Sequence, residues 1–479
     1  MTRLPAKVML FSLGLFGYLT FLLSCDIDGL AQGYRITIVL PVVFLFCFCF
    51  LLWDPLFRIK TPYLVLFPVI ACIRYVFLSL SILTKSTYLG LSGVPPTPDS
   101  LTFAGVLLAW ELVITSLVIN RGAARLGTVQ LVGRNELRVT GEPVIYVTFV
   151  LFVSALLIMF PQARKGLSFF TSFSLFESGE TSLLTLFLRQ CFANAKYFLF
   201  FTAVALLQRK GHRKHNRPVS YLIVSLCALI VIGLRIGTNR KQILADGLAV
   251  FLSLMHLFPE YRRRSLLGIG VVGASLFAAT TIYRGMAPSS SGIVKLFTNL
   301  LTSQAYFLGQ YNVAIAVEAK ELFGYLLDYR SYILTYLRPI IGIGSFIKNI
   351  PFNMTTDLFH MRMSLGILPR HDQILPMIGE GYMLFGALLS PFFSIITAKL
   401  GLLSDRLYLT TTRLEVAFLS AVSSFYLAQG MILNFAIILN NLSFKLSISL
   451  AVIALAHLFR RTPLTPRDPR NNPSRLIRA

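Results

Sequence analysis

Apolar blocks close to the length that carries a helix across a bilayer, about 20 residues, recur along most of this 479-residue chain. Hydrocarbon offers no water to a backbone N–H or C=O, so a spanning segment must bond to itself as a helix or close with others into a barrel. These blocks are too long and too continuously apolar for barrel strands, which alternate in polarity. The fold class read from the sequence is therefore all-α, a polytopic membrane protein. Composition agrees, with 55% of residues hydrophobic and 13% charged.

About twelve transmembrane helices are expected, over residues 6–24, 36–53, 62–83, 101–119, 143–161, 190–208, 219–238, 243–258, 265–282, 374–398, 414–431 and 440–458. Residues 1–283 then hold helices one to nine, 284–373 an extracytoplasmic loop or lid, and 374–458 helices ten to twelve. Residues 459–479, rich in Pro, Asn and Arg, form a disordered basic cytoplasmic tail. The first block reads as a retained helix rather than a removed signal, because no convincing cleavage site follows it. Within the long loop, residues 292–327 carry apolar positions at helical spacing and are expected to lie on the membrane surface or to cap the bundle.

A net charge of +24 invites a nucleic-acid reading, but the cations fall at alternate helix ends. Arg3 and Lys7, Arg58 and Lys60, Arg121 to Arg138, Arg209 to Arg217, Arg262 to Arg264, Lys399 to Arg413 and the tail all lie on one side. That is the positive-inside pattern, so these loops and both termini are assigned to the cytoplasm of a cell membrane, and no nucleic-acid partner is expected. The six cysteines, at 25, 47, 49, 72, 191 and 227, have no spacing that suggests a metal or a disulfide framework.

The opposite side should be poor in Lys and Arg, yet Arg235, Arg240, Lys241, Arg284, Arg330, Arg338, Arg362 and Arg370 fall there. Guanidinium groups grip phosphate bidentately and stay charged, so convergent arginines suit a pyrophosphate headgroup; snorkelling to ordinary lipid phosphates is the competing reading. Arg74, Glu111 and Asp246 lie at membrane depth and must pair or face a polar interior, Arg74 with Glu111 being the natural pair. Where the loop returns, "GILPRHDQILPMIGEGYMLFG" (366–386) offers His371 as a base near neutral pH and Glu380 as a carboxylate at the mouth of helix ten, with His360 a second imidazole. Tyr306, Tyr311, Tyr325, Tyr329, Tyr332 and Tyr336 can stack on sugars or anchor the loop at the interface. No Walker loop, HExxH or acidic metal cluster is visible, so neither metal nor cofactor is expected.

Several of these pieces occur in a familiar order. The "GTNR" turn between two mid-chain helices, "YRGM" some forty residues on, the "LRP" element of Leu337, Arg338 and Pro339, and "LPMIGEGYMLFG" together resemble the repeat-unit polymerases of bacterial surface polysaccharides. These are the O-antigen and enterobacterial common antigen polymerases, often called Wzy. The resemblance spans residues 219–400 and implies a GT-C-like membrane glycosyltransferase. It implies that Arg240, Arg284 and Arg338, with Lys241 and Arg370 beside them, hold the pyrophosphate of an undecaprenyl-linked glycan. The growing chain would pass to a hydroxyl of the next lipid-linked unit, with His371 or Glu380 taking the proton. Donor and acceptor are both undecaprenyl-pyrophosphate-linked, a chain-length regulator and a flippase are the implied protein partners, and the active site faces out of the cytoplasm. A polysaccharide ligase shares the donor chemistry. A flippase or transporter would instead spread polar groups through the bilayer midplane and break its helices.

Overall fold

The computed structural model describes residues 4–84, 92–127, 137–164, 167–169, 183–209, 217–236, 240–268, 270–271, 309–347, 349–366 and 373–460, without the side chains of 164, 167–169, 183, 186, 235, 236 and 240. The fold is helical. Helices α1 (Leu4–Leu23), α2 (Arg35–Ile59), α3 (Pro62–Leu83) and α4 (Pro98–Leu126) follow one another closely. Next come α5 (Pro143–Met159), α6 (Leu183–Arg209), α7 (Arg217–Gly233) and α8 (Arg240–Leu257). Beyond residue 308 lie α9 (Gln310–Phe323), α10 (Tyr329–Leu337) and α11 (Thr355–Met363). The chain closes with α12 (Met377–Leu389), α13 (Phe392–Thr410), α14 (Leu414–Ala428) and α15 (Phe435–Leu458). One short antiparallel ladder joins β1 (Leu167–Phe169) to β2 (Leu234–Ile236).

Among the described residues seven helices are long and apolar enough to cross a membrane: α1 to α4, α6, α14 and α15; an eighth span results if α12 and α13 count as one. Helices α5 and α7 are apolar but shorter. The protein is thus membrane-embedded by the physics of its helices. The expected helix over 265–282 and the basic tail lie largely outside the described residues.

Two expectations about the path of the chain are corrected. The tenth helix, expected to run unbroken over 374–398, bends by 105° between α12 and α13. Gly386 takes φ of 79°, closed to most side chains, and Pro391 cannot donate to the preceding turn. The carbonyls this frees are met from three other helices: Lys320 Nζ donates to Tyr382 O (2.8 Å), the Tyr332 hydroxyl to Leu384 O (3.3 Å) and the Trp110 indole to Leu388 O (3.1 Å). Gly381 is required where the chain folds back, since a Cβ there would sit 2.0 Å from Ser390 O. Second, where the amphipathic stretch is described, from residue 309 on, its helix α9 does not lie along a surface. Every residue of α9 from Gln310 to Ala319 is buried, packed against α4, α11 and α12. Its polar positions are satisfied internally: Gln310 Nε2 donates to Gly33 O (2.9 Å) and Leu101 O (2.6 Å), and Tyr311 pairs with Ser92.

Among the described residues three buried apolar clusters result, the smallest lying between α5 and α6. The largest gathers α2, α3, α4, α9 and the first half of α12; the next gathers α6, α7, α8 and α14. Helix α1 stands apart, tied by Lys7 to Asp54 (2.6 Å) and by the Tyr18 hydroxyl to Ile38 O (2.7 Å). Between it and α2 and α3 lies an apolar hollow of about 360 Å³.

Candidate functional site

Among the described residues most charged side chains inside the bundle fall into three groups. The first is the pair foreseen at membrane depth. A π-turn over Ile73–Phe77 widens α3 locally, which lets consecutive residues reach one partner. Arg74 Nη1 (2.8 Å) and the Tyr75 hydroxyl (3.0 Å) both donate to Glu111 Oε2, while Ser394 donates to Oε1 (2.6 Å).

Asp246 forms the second group. It is fully buried on α8 and holds two lysines. Lys196 Nζ of α6 donates to Asp246 Oδ2 at 2.5 Å and to the Val231 and Leu234 carbonyls at 2.7 and 2.8 Å. Tyr197 donates to the other carboxylate oxygen and accepts from Lys445 Nζ of α15 at 2.7 Å; that ammonium lies 3.8 Å from Asp246 Oδ1. With its amide correctly oriented, the Gln242 oxygen accepts from Lys445 (3.1 Å) and Lys196 (3.3 Å). Two ammoniums thus share one carboxylate. A polar seam continues from this cluster between α6 and α15: Gln190 and Asn194 donate to Phe444 O, and Ser449 donates to Asn194. Sequence reasoning found Asp246 but missed Lys196 and Lys445. Each is a lysine set inside an apolar block, the same signal that marked Arg74.

The third group comprises four buried carboxylates, each of which accepts from backbone N–H groups at or just ahead of the start of a helix other than its own. Glu318 of α9 accepts from Thr97 N (2.7 Å) ahead of α4. Glu380 of α12 accepts from Phe435 N (2.7 Å), the first residue of α15. Asp405 of α13 accepts from Thr61, Tyr63 N (3.0 Å) and Leu64 N (3.2 Å) at the start of α3. Glu415 of α14 accepts from Thr140 N (2.9 Å), Gly141 N (3.0 Å) and the Tyr146 hydroxyl (2.9 Å) ahead of α5. An anion at a helix start meets unpaired N–H groups and the positive end of the dipole.

Against this background the expected site residues separate. Glu380 is not an open carboxylate at a mouth: it is 0% exposed, and its second oxygen accepts from the Tyr336 hydroxyl (3.3 Å). Arg362 is not an open guanidinium either. It is buried in an ion pair with Glu318 and donates to Val94 O (3.1 Å) and Pro95 O (3.3 Å), clasping α11 to the segment before α4. Arg338 is exposed at the end of α10, 5.8 Å from the Phe352 ring centre. Arg330 is exposed beside Tyr329. Lys241 is half-buried in the first turn of α8. His360 Nε2 lies 2.8 Å from Gln373 O. Arg284, Arg370, His371 and Tyr306 lie outside the described residues, as do the side chains of Arg235 and Arg240. Of the loop tyrosines, Tyr325 and Tyr329 are exposed, Tyr311 is buried and Tyr336 is half-buried.

The backbone does bring two of the singled-out stretches to one helix. The turn after Arg338 touches α15 through Ile341 N, which donates to Ser443 Oγ at 2.9 Å. The first turns of α8, which begin with Arg240 and Lys241, reach the same height of α15 through Gln242, Asp246 and Lys445. Positions 443 and 445 point to nearly opposite sides of a helix, so α15 stands between the two. Among the described residues no group of three or more His, Cys, Asp or Glu is placed to hold a metal. Compared with family models, with curated proteins and with solved structures, the chain matches none.

Proposed function

We propose that this protein is a membrane-embedded glycosyltransferase that polymerises undecaprenyl-pyrophosphate-linked repeat units, passing the growing glycan to the next lipid-linked unit. The observation that carries this reading is the gathering of cations around the start of α8. Lys241 lies there beside Arg240, and just below it two buried ammoniums share the single Asp246 carboxylate. Cations gathered in a low-dielectric bundle favour an anion beside them. A diphosphate supplies one, and its charge grows as the glycan departs, so fixed cations lower the barrier to transfer. Arg284 and Arg370 are the further pyrophosphate ligands of the proposal; Arg338 is not one of them, since α15 stands between it and the start of α8. His371 is the favoured base, because Glu380 has both oxygens engaged and no exposure.

A second reading is favoured by a specific observation. The 105° break between α12 and α13 and the polar seam between α6 and α15 are features suited to moving a lipid-linked glycan across the bilayer. Reconstitution with lipid-linked repeat units alone separates the readings. A ladder of products supports the polymerase, inertness until a different acceptor is added supports a ligase, and passage across the vesicle without new bonds supports a flippase.

A further inference from the structure

The segment after α10 goes deeper than a surface lid should. Tyr336 meets Glu380, whose other oxygen accepts from Phe435 N at the very start of α15. Only five residues later, Ile341 N donates to Ser443, eight residues along α15 and thus about 12 Å below its first residue. Helix α15 has 24 residues, about 36 Å in all, against a hydrocarbon core of about 30 Å. If α15 crosses that core, its two ends together overhang by only about 6 Å, so Ser443, and Ile341 with it, sits within the hydrocarbon.

The composition and bonding of the segment fit that depth. From Leu337 to Ile347 it reads LRPIIGIGSFI, with Arg338 at the top as its one ionisable residue. Phe346 is 88% exposed and Ile343 is 40% exposed, faces that water would penalise and lipid would not. Irregular backbone survives in hydrocarbon only where its polar groups are met internally. Here Arg338 N donates to Leu334 O, Ile340 N to Leu337 O, Gly344 N to Ile340 O and Ser345 N to Gly342 O, while Pro339 has no N–H to lose. The tight return depends on glycine: Gly342 has φ of 85°, and a Cβ on Gly344 would lie 2.2 Å from Arg338 O.

We infer that residues 338–347 form a re-entrant arm that dips beside α15 into the leaflet at that helix's N-terminal end, its exposed face covered by phospholipid acyl chains. Arg338 then sits at the phosphate level of that leaflet, where the anions within its reach are those of lipid headgroups. The inference concerns how the protein meets the bilayer and holds whichever reaction it performs.

The test is depth. Phe346→Trp, purified and reconstituted, is compared with Tyr325→Trp at the base of the arm, and the unsubstituted protein supplies the Trp53 and Trp110 background. Phospholipids brominated along their acyl chains should quench the emission added at 346, and aqueous iodide should not; at 325 iodide should quench. Iodide quenching at 346 equal to that at 325, without quenching by the brominated lipid, overturns the arm. Should Phe346→Trp fail to fold, Ile343→Trp gives the same readout.

Discussion

Single side chains in this protein mostly hold helices to one another. Arg74 and Glu111 are both fully enclosed, so removing one strands the other. Arg74→Met is expected to cost about 3–5 kcal/mol, whereas Arg74→Met with Glu111→Leu recovers much of it. The check is thermal unfolding in detergent; equal loss in the single and double variants would show that a stranded Glu111 is not what destabilises the single variant. Asp405 serves three donors at the start of α3. Asp405→Ala leaves them buried and unmet, and a loss of about 1–3 kcal/mol is expected. Glu380→Gln keeps an acceptor for Phe435 N and should leave unfolding nearly unchanged while Glu380→Ala lowers it. Lost turnover in a fully folded Glu380→Gln would instead return the carboxylate to the list of bases. Beyond the membrane spans, Asp328 caps α10, and its carboxyl is held below the usual carboxylate range chiefly by the Ser331 N–H. Protonation at low pH therefore removes that cap.

At the level of elements, the outer helices were legible because the bilayer imposes their length and forbids interruption. Leu4–Leu23, Pro62–Leu83 and Phe435–Leu458 fall close to the blocks expected from apolar runs alone. Interior elements were not legible for a related reason. Helix α9 carries Glu318, Lys320 and Glu321 and so reads as a surface helix; Glu318 is buried only because Arg362, 44 residues away, and Thr97 come to meet it. The break at α12–α13 leaves a faint trace, Gly386 followed by Pro391, and becomes necessary only when Trp110, Lys320 and Tyr332 supply donors. Of the candidate site, the α8 and Arg338 stretches stand out in the sequence by their cations, whereas the partners Lys196 and Lys445 were overlooked. Glycine substitutions test the close approaches. Gly381→Ala should sharply lower the yield of folded protein, while Gly17→Ala, where a Cβ meets nothing within 4 Å, should be neutral; equal yields would mean the fold-back relaxes easily.

Across the whole molecule, basic loops, apolar spans and the buried lysine cluster belong to one electrostatic plan. In the proposed reading, cations at alternate helix ends orient the chain, and those on the other side attract an anion. On that reading the α8 start draws the anion, because Lys196 and Lys445 both gather at Asp246 just below it. The most direct measurement is polymer formation from lipid-linked repeat units by Arg240→Ala, reconstituted at the same inserted amount as the unsubstituted protein. The account predicts intact insertion with the product ladder abolished; a near-normal ladder would contradict it and leave Arg240 as an anchor for its turn.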